Sequence, residues 1–197
     1  MLLPVLAKAR QNAQRMKCVN NLKQWGLITV FYAEDEDDYF FPAAGVRNYY
    51  VPDTTATWQH YYGHLRVSYL PGVLEQKHWL YGKNINGCPA HSDGVYNTSG
   101  TMRDRYWSYG TNSHVAHIQV GKTDQFVSLK MRMVKKISST FWITDLSNLV
   151  SRYSYTFSML DERGGFLHEN QMNVLYTDGH VENKRKVEIK EADYVVE

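Results

Sequence analysis

Residues 5–34, VLAKARQNAQRMKCVNNLKQWGLITVFYAE, decide the fold. Leu6, Ala9, Ala13 and Met16 recur every three or four positions, and so do Leu22, Trp25, Ile28 and Tyr32, the spacing of one helical face. Lys8, Arg10, Gln11, Gln14, Arg15 and Lys17 lie between them and make a basic, solvated outer face. At 1.5 Å per residue such a helix is about 45 Å long, unusual for a globular protein. Pro4 suits its first turn, where a missing N–H costs nothing. The acids Glu34, Asp35, Glu36, Asp37 and Asp38 end it, at the pole where the helix dipole disfavours them. They read as a solvated exit loop; the alternative is a calcium site supplied by Glu34, Asp35, Asp37 and Asp38.

Outward from this helix the pattern changes. Residues 39–97 lose periodicity and are punctuated by Pro42, Pro52, Pro71 and Pro89, so loops, short strands and one short helix near 72–81 are expected. Later stretches read as strands: 105–109, then Phe141-Trp142-Ile143-Thr144 closing at Asp145. Met172-Asn173-Val174-Leu175-Tyr176 and 181–183 flank Asp178-Gly179, a favoured two-residue hairpin dipeptide with positive φ at both positions. Val187 and Ile189 alternate with charges, as in a terminal strand. A long helix (1–38) followed by a head (39–197) with an antiparallel sheet is an α+β arrangement.

Composition narrows the function. The 22 basic and 20 acidic residues leave a formal charge of +2, which is no electrostatic footprint for nucleic acid. No run of 18 apolar residues spans a bilayer. The opening Met1-Leu2-Leu3-Pro4-Val5-Leu6 reads as the tail of a longer apolar segment rather than as a signal peptide. Of fifteen tyrosines and five tryptophans, nine cluster at Tyr49-Tyr50, Trp58, Tyr61-Tyr62, Trp79-Leu80-Tyr81 and Tyr106-Trp107. Buried rings with wet polar tips are the favoured reading, and a stacking surface for sugars or a partner is the other.

Several stretches together resemble one family. Pro4-Val5-Leu6-Ala7-Lys8-Ala9-Arg10, Cys18-Val19-Asn20-Asn21-Leu22-Lys23-Gln24 and Tyr32-Ala33-Glu34-Asp35 are similar to bacterial proteins with a prepilin-type cleavage and methylation leader, related to type II secretion pseudopilins. Gly87-Cys88-Pro89, Ser108-Tyr109-Gly110-Thr111-Asn112, Ile137-Ser138-Ser139-Thr140 and the closing His168…Asn173-Val174-Leu175-Tyr176-Thr177-Asp178-Gly179-His180 follow in the family's order. Residues 43–81 match none of its motifs. The resemblance implies a pilin-like fold, its helix lying on an antiparallel sheet. It implies a structural, non-enzymatic subunit of a secretion pseudopilus or type IV pilus-like assembly. Its partners would be other pilin-like subunits, the secretion machinery and, through the missing half of the helix, the inner membrane. The head would then be periplasmic or at the cell surface, and this chain a soluble part. The alternative function is a glycan- or protein-binding module on a pilin-type anchor, using the aromatic segment 49–81.

Cys18 and Cys88 are left open as free thiols or a pair. The resemblance places the head outside the cytoplasm, where disulfides persist, and so implies a bridge from the helix to the head, worth about 4 kcal/mol. Zinc is disfavoured because the two cysteines lack C-x-x-C spacing. His168-Glu169 opens like H-E-x-x-H, but position 172 is Met. His114 and His117 stand three apart, and His168, Asp178 and His180 would ligate a metal only if the hairpin ends met. The reading adopted for His168, Asn173, Asp178, Gly179 and His180 is structural: Asp178 and Gly179 turn the last hairpin and the histidines brace it. No nucleophile elbow, phosphate loop or dinucleotide fingerprint is present, and no cofactor is expected beyond the calcium alternative.

Overall fold

The computed structural model describes residues 2–41, 88–90, 109–116, 118–119, 126–146, 154–155 and 164–196. Helix α1 spans Leu2–Asp35, 34 residues, close to the expected limits. Its two halves live in different surroundings. Residues 3–13 are exposed all round, whereas Cys18, Leu22, Trp25, Ile28 and Tyr32 are buried at helical spacing, with Asn21, Thr29 and Ala33 beside them. The helix stops because Asp37 and Asp38 take positive φ (49° and 70°) and the Asp38 N–H returns to the Ala33 carbonyl at 2.8 Å. Asp tolerates that left-handed geometry better than most residues. No described helix is long and apolar enough to cross a membrane.

Against α1 lies a sheet of strands β1 (Tyr109–Asn112), β4 (Phe141–Asp145), β5 (Ser154–Tyr155), β6 (Gln171–Tyr176) and β7 (Val181–Arg185), in the order β5-β1-β4-β6-β7. Four of these pair antiparallel, and the short edge strand β5 joins β1 in parallel, a departure from the all-antiparallel expectation. Strands β2 (Ile118–Gln119) and β3 (Phe126–Val127) make a separate pair. The architecture is α+β.

Strand β6 explains why both sheet faces are dry. Asn173 and Leu175 point to the helix side, where Trp25, Phe40, Phe41 and Trp142 pack, with Trp142 ring centroids 4.8 and 4.9 Å from Phe40 and Phe41. Met172, Val174 and Tyr176 point the other way, under Phe141, Ile189 and Tyr194 of the C-terminal segment. Asn112 Nδ2 ties that segment down, donating to the carbonyls of Phe141 and Tyr194 at 2.9 Å each. Residues 186–193 therefore do not form the terminal strand expected of Val187 and Ile189. They make two 3₁₀ turns, Lys186–Glu188 and Glu191–Asp193, that drop Ile189 onto the sheet and leave Val187 in solvent.

Two turns bracket β6, and each corrects a detail. Between β6 and β7 the Gly179 N–H bonds the Tyr176 carbonyl at 3.0 Å, and Tyr176 N–H bonds the His180 carbonyl at 2.9 Å. Gly179 has φ 91°, while Asp178 is not among the residues with positive φ. The loop is thus three residues long, closed by a turn with glycine in the left-handed region, rather than the two-residue loop expected. Before β6, His168 and Gln171 exchange backbone hydrogen bonds around Glu169 and Asn170, at φ 54° and 62°. Of the two turns that bracket β6, this is the one with positive φ at both central residues. Of the strand expected at 105–109, Tyr109 opens β1; the helix expected near 72–81, the aromatic segment 49–81 and His117 lie outside the described residues.

Gly165 and Gly179 generate the first tests. A Cβ on Gly165 would sit 2.6 Å from the backbone carbon of Asp145 and the nitrogen of Leu146, atoms that cannot yield. Gly165→Ala should therefore lower unfolding free energy by about 2–3 kcal/mol in chemical denaturation. Gly179→Val should cost more than ~1 kcal/mol through backbone strain, although nothing lies within 4 Å of its Cβ position, and His180→Ala should cost less. A neutral Gly165→Ala would refute the close approach described.

Candidate functional site

A polar cluster sits inside the apolar one. Cys18 belongs to the first buried turn of α1, and Cys88 to the short described segment 88–90. Gln14 fastens that segment to the helix by donating from Nε2 to the Pro89 carbonyl at 3.1 Å. Asp145 closes β4, and His168 starts the strained turn before β6. All four are buried, Cys18 and Asp145 completely. One potential ligand atom from each, Sγ, Sγ, a carboxylate oxygen and an imidazole nitrogen, lies within 4.8 Å of the others.

The hydrogen bonds define the roles. Cys18 Sγ donates to Asp145 Oδ1 at 3.0 Å, so the Tyr109 hydroxyl, 3.1 Å from the same sulfur, is the donor to it. Asn21 Nδ2 supplies the hydroxyl oxygen at 3.3 Å. Asp145 Oδ2 accepts from the backbone N–H of Asn173 at 2.7 Å and from its Nδ2 at 2.9 Å. Asn183 Nδ2 in turn donates to Asn173 Oδ1 across the β6–β7 ladder. Cys88 Sγ is 3.2 Å from His168 Nε2, and that nitrogen is 3.7 Å from Asp145 Oδ2.

Electrostatics follow from burial. Burial pushes the Cys18 thiol far up, so it keeps its proton. The contact with Cys18, followed by the bond to His168, holds Cys88 down at about 5 against the effect of burial. Burial and then the negative Cys88 raise the Asp145 carboxyl to about 7, opposed by His168, Cys18 and Asn173. Burial pulls His168 down, but Cys88 and Asp145 outweigh it and the net direction is up. Burial, then the negative neighbours, raise Tyr109.

A thiolate beside an imidazole resembles an activated nucleophile, but two features speak against that use. In a nucleophilic triad the carboxylate orients the imidazole through the nitrogen opposite the nucleophile. Here one nitrogen, Nε2, faces both Cys88 and Asp145. Cys88 is also only 4% exposed, so its sulfur is largely screened from solvent.

The structure thus gathers Cys18, Cys88, His168 and Asn173 and adds Asp145 and Tyr109. In the sequence Asp145 is legible only as the end of a strand; an acid closing the buried-strand run Phe141-Trp142-Ile143-Thr144 is the one signal. The two cysteines meet, as the resemblance implied, but as free thiols turned toward Asp145 and His168 rather than as a bridge. Asp178, Gly179 and His180 stand at the opposite end of β6, so His168, Asp178 and His180 do not converge. His180 braces the final hairpin by stacking on Tyr176 (4.1 Å between centroids, 9° between planes) and by bonding Asp178 Oδ1 through Nδ1 at 2.5 Å. His168 braces the other end instead. The calcium set is not assembled: Glu34 and Asp35 face solvent on the last helical turn. Asp37 pairs with Lys130, and Asp38 accepts from the Arg132 backbone N–H at 3.2 Å. Cations from the loop after β3 satisfy those acids. His114 is exposed on the short helix α2 (Ser113–Ala116).

Compared with known protein families, characterised proteins and solved structures, the chain matches none.

Asn173 is the most informative position for the cluster's structural weight. Asn173→Ala removes one donor from a buried carboxylate and the acceptor of Asn183, and should cost about 2–3 kcal/mol in urea denaturation. Asn183→Ala, at a half-buried position, should cost under ~1 kcal/mol. Equal effects would refute the ranking.

Proposed function

We propose that the chain is a structural, non-enzymatic subunit of a type IV pilin-like assembly of the type II secretion pseudopilus kind, with α1 as its assembly stem and a pilin-like head. The observation that carries this reading is the division of α1. Residues 18–33 bury a continuous stripe against the sheet, while residues 3–10 are exposed all round, with Leu3, Val5 and Leu6 at 82%, 68% and 68%. A helix that leaves its domain with apolar side chains on show is matched to neighbours outside the domain. Isolated, a stem of this length is marginal in water, and packing beside other helices is what would stabilise it. Other pilin-like subunits, the secretion machinery and the inner membrane are the partners this reading names, with the head in the periplasm or at the cell surface. The near-neutral charge and the buried polar cluster both agree with a scaffold role.

The test is site-specific photo-crosslinking in the cells that make the protein, with the probe at Leu6 or Ala13 on the stem and at Val187 on the head. Adducts from the stem positions should join this chain to a second copy, or to another subunit with a comparable N-terminal helix, and the head position should yield none of these. Stem probes that capture no such helix would sink the proposal.

A further inference from the structure

We propose that Cys18, Cys88, Asp145 and His168 form a structural zinc site that pins α1 to the head. The case rests on geometry. Four side chains from four separate places in the chain (α1, segment 88–90, the end of β4 and the turn before β6) each direct one ligand atom to a common point. In tetrahedral zinc coordination the ligand atoms stand roughly 3.3–3.8 Å apart, given metal–ligand lengths of about 2.0–2.3 Å. The closest separations here are 3.0 Å from Cys18 Sγ to Asp145 Oδ1 and 3.2 Å from Cys88 Sγ to His168 Nε2, just short of that range, and 3.7 Å from His168 Nε2 to the other carboxylate oxygen, Oδ2, within it; with one atom taken from each residue, every pair lies inside 4.8 Å.

Orientation agrees with distance. A single imidazole nitrogen faces a sulfur and a carboxylate oxygen together, which a ligand does around a shared ion. The groups behind the cluster resemble those that hold metal ligands in place: Tyr109 donates to the Cys18 sulfur, and Asn173 grips Asp145 by two hydrogen bonds. Two thiolates with an imidazole and one carboxylate form a closed set of mixed softness that suits zinc in a structural rather than catalytic role. A small pocket lined by Gln11, Gln14, Arg15, Ala90, Leu167 and His168 opens beside the site and offers an entry path. Binding needs no oxidant or reductant: each cysteine gives its sulfur lone pair to the ion, and any thiol proton it still carries leaves to solvent. A disulfide between the same sulfurs would consume both and leave His168 facing Asp145 alone. The inference is independent of the assembly role proposed for α1.

The experiment is elemental analysis and native mass spectrometry of protein purified without chelator or reductant, followed by thiol counting in denaturant. Zinc at about one per chain is expected, with two free thiols once the metal is chelated. Chelation should lower Tm by at least about 10 °C, and added zinc should restore it. Cys88→Ser and His168→Gln should each reduce zinc content at least tenfold. Should either variant fail to fold, cobalt(II) titration of the chelated wild-type protein decides, because thiolate-bound tetrahedral cobalt is coloured and octahedral cobalt in buffer is nearly colourless. A Cys18–Cys88 disulfide without metal would overturn the proposal. So would two free thiols that bind neither zinc nor cobalt, or zinc retained in both variants.

Discussion

A carboxylate without solvent must be satisfied by the protein, and Asp145 sets that constraint for the whole head. Burial opposes its charge, so the chain brings donors to it from α1 through Cys18 and from β6 through Asn173. Each donor fixes a larger element. Cys18 sets the rotation of α1 about its axis, because turning the helix by one residue would swing the sulfur away and expose Leu22 or Trp25. Asn173 sets the register of β6 against β4, since a one-residue slip would send its side chain to the opposite face. The apolar contacts supply most of the stabilisation, but they are tolerant of small shifts; the polar cluster is not.

His168 reaches the cluster because backbone strain is accepted beside it. Glu169 and Asn170 both sit at positive φ, which ordinary residues avoid, and the turn closes tightly enough to aim the imidazole inward. Gly165 lets the same segment pass over the end of β4, with its amide bonded to the Asp145 carbonyl at 3.0 Å. Strain, a close backbone crossing and a buried titratable cluster coincide at one end of β6. The opposite end uses unstrained turn chemistry, with glycine where φ is positive and half-exposed His180 stacked on buried Tyr176. That contrast marks the Asp145 end as the place where the fold accepts cost for geometry.

The helix joins this internal order to the outside. A hydrogen-bonded chain from Trp142 Nε1 to Thr29 Oγ1 (2.9 Å), and from Thr29 to the Trp25 carbonyl (2.8 Å), holds its second half while Phe40 and Phe41 close over the indole. Along the helix from its exposed first half, the head is met first at half-buried Gln14, bonded to Pro89, and then at Cys18, the first fully buried residue.

The helix, its approximate limits, its buried stripe and the strands around Phe141, Leu175 and Val181 were legible in the sequence, because hydrophobic periodicity is a local property. Proximity of Cys18 and Cys88 was legible only through resemblance, since seventy residues separate them. The closing hairpin was found, but its loop length was not, because Asp-Gly serves both two- and three-residue loops and only the paired carbonyls choose between them. Val187 and Ile189 alternated like a strand, yet Tyr194 and Ile189 had an apolar face to cover, and packing overrode the pattern. The acids after the helix read as a solvated exit loop, with a calcium site as the alternative; that Lys130 and Arg132 lie beside Asp37 and Asp38 was not legible, because 93 and 94 residues separate the partners. The cluster itself was beyond local reading: Asp145 carries no motif, and its four members share no spacing. Only the crossing of α1, β4 and β6 brings them to one point, and that crossing is decided by which faces must be dry.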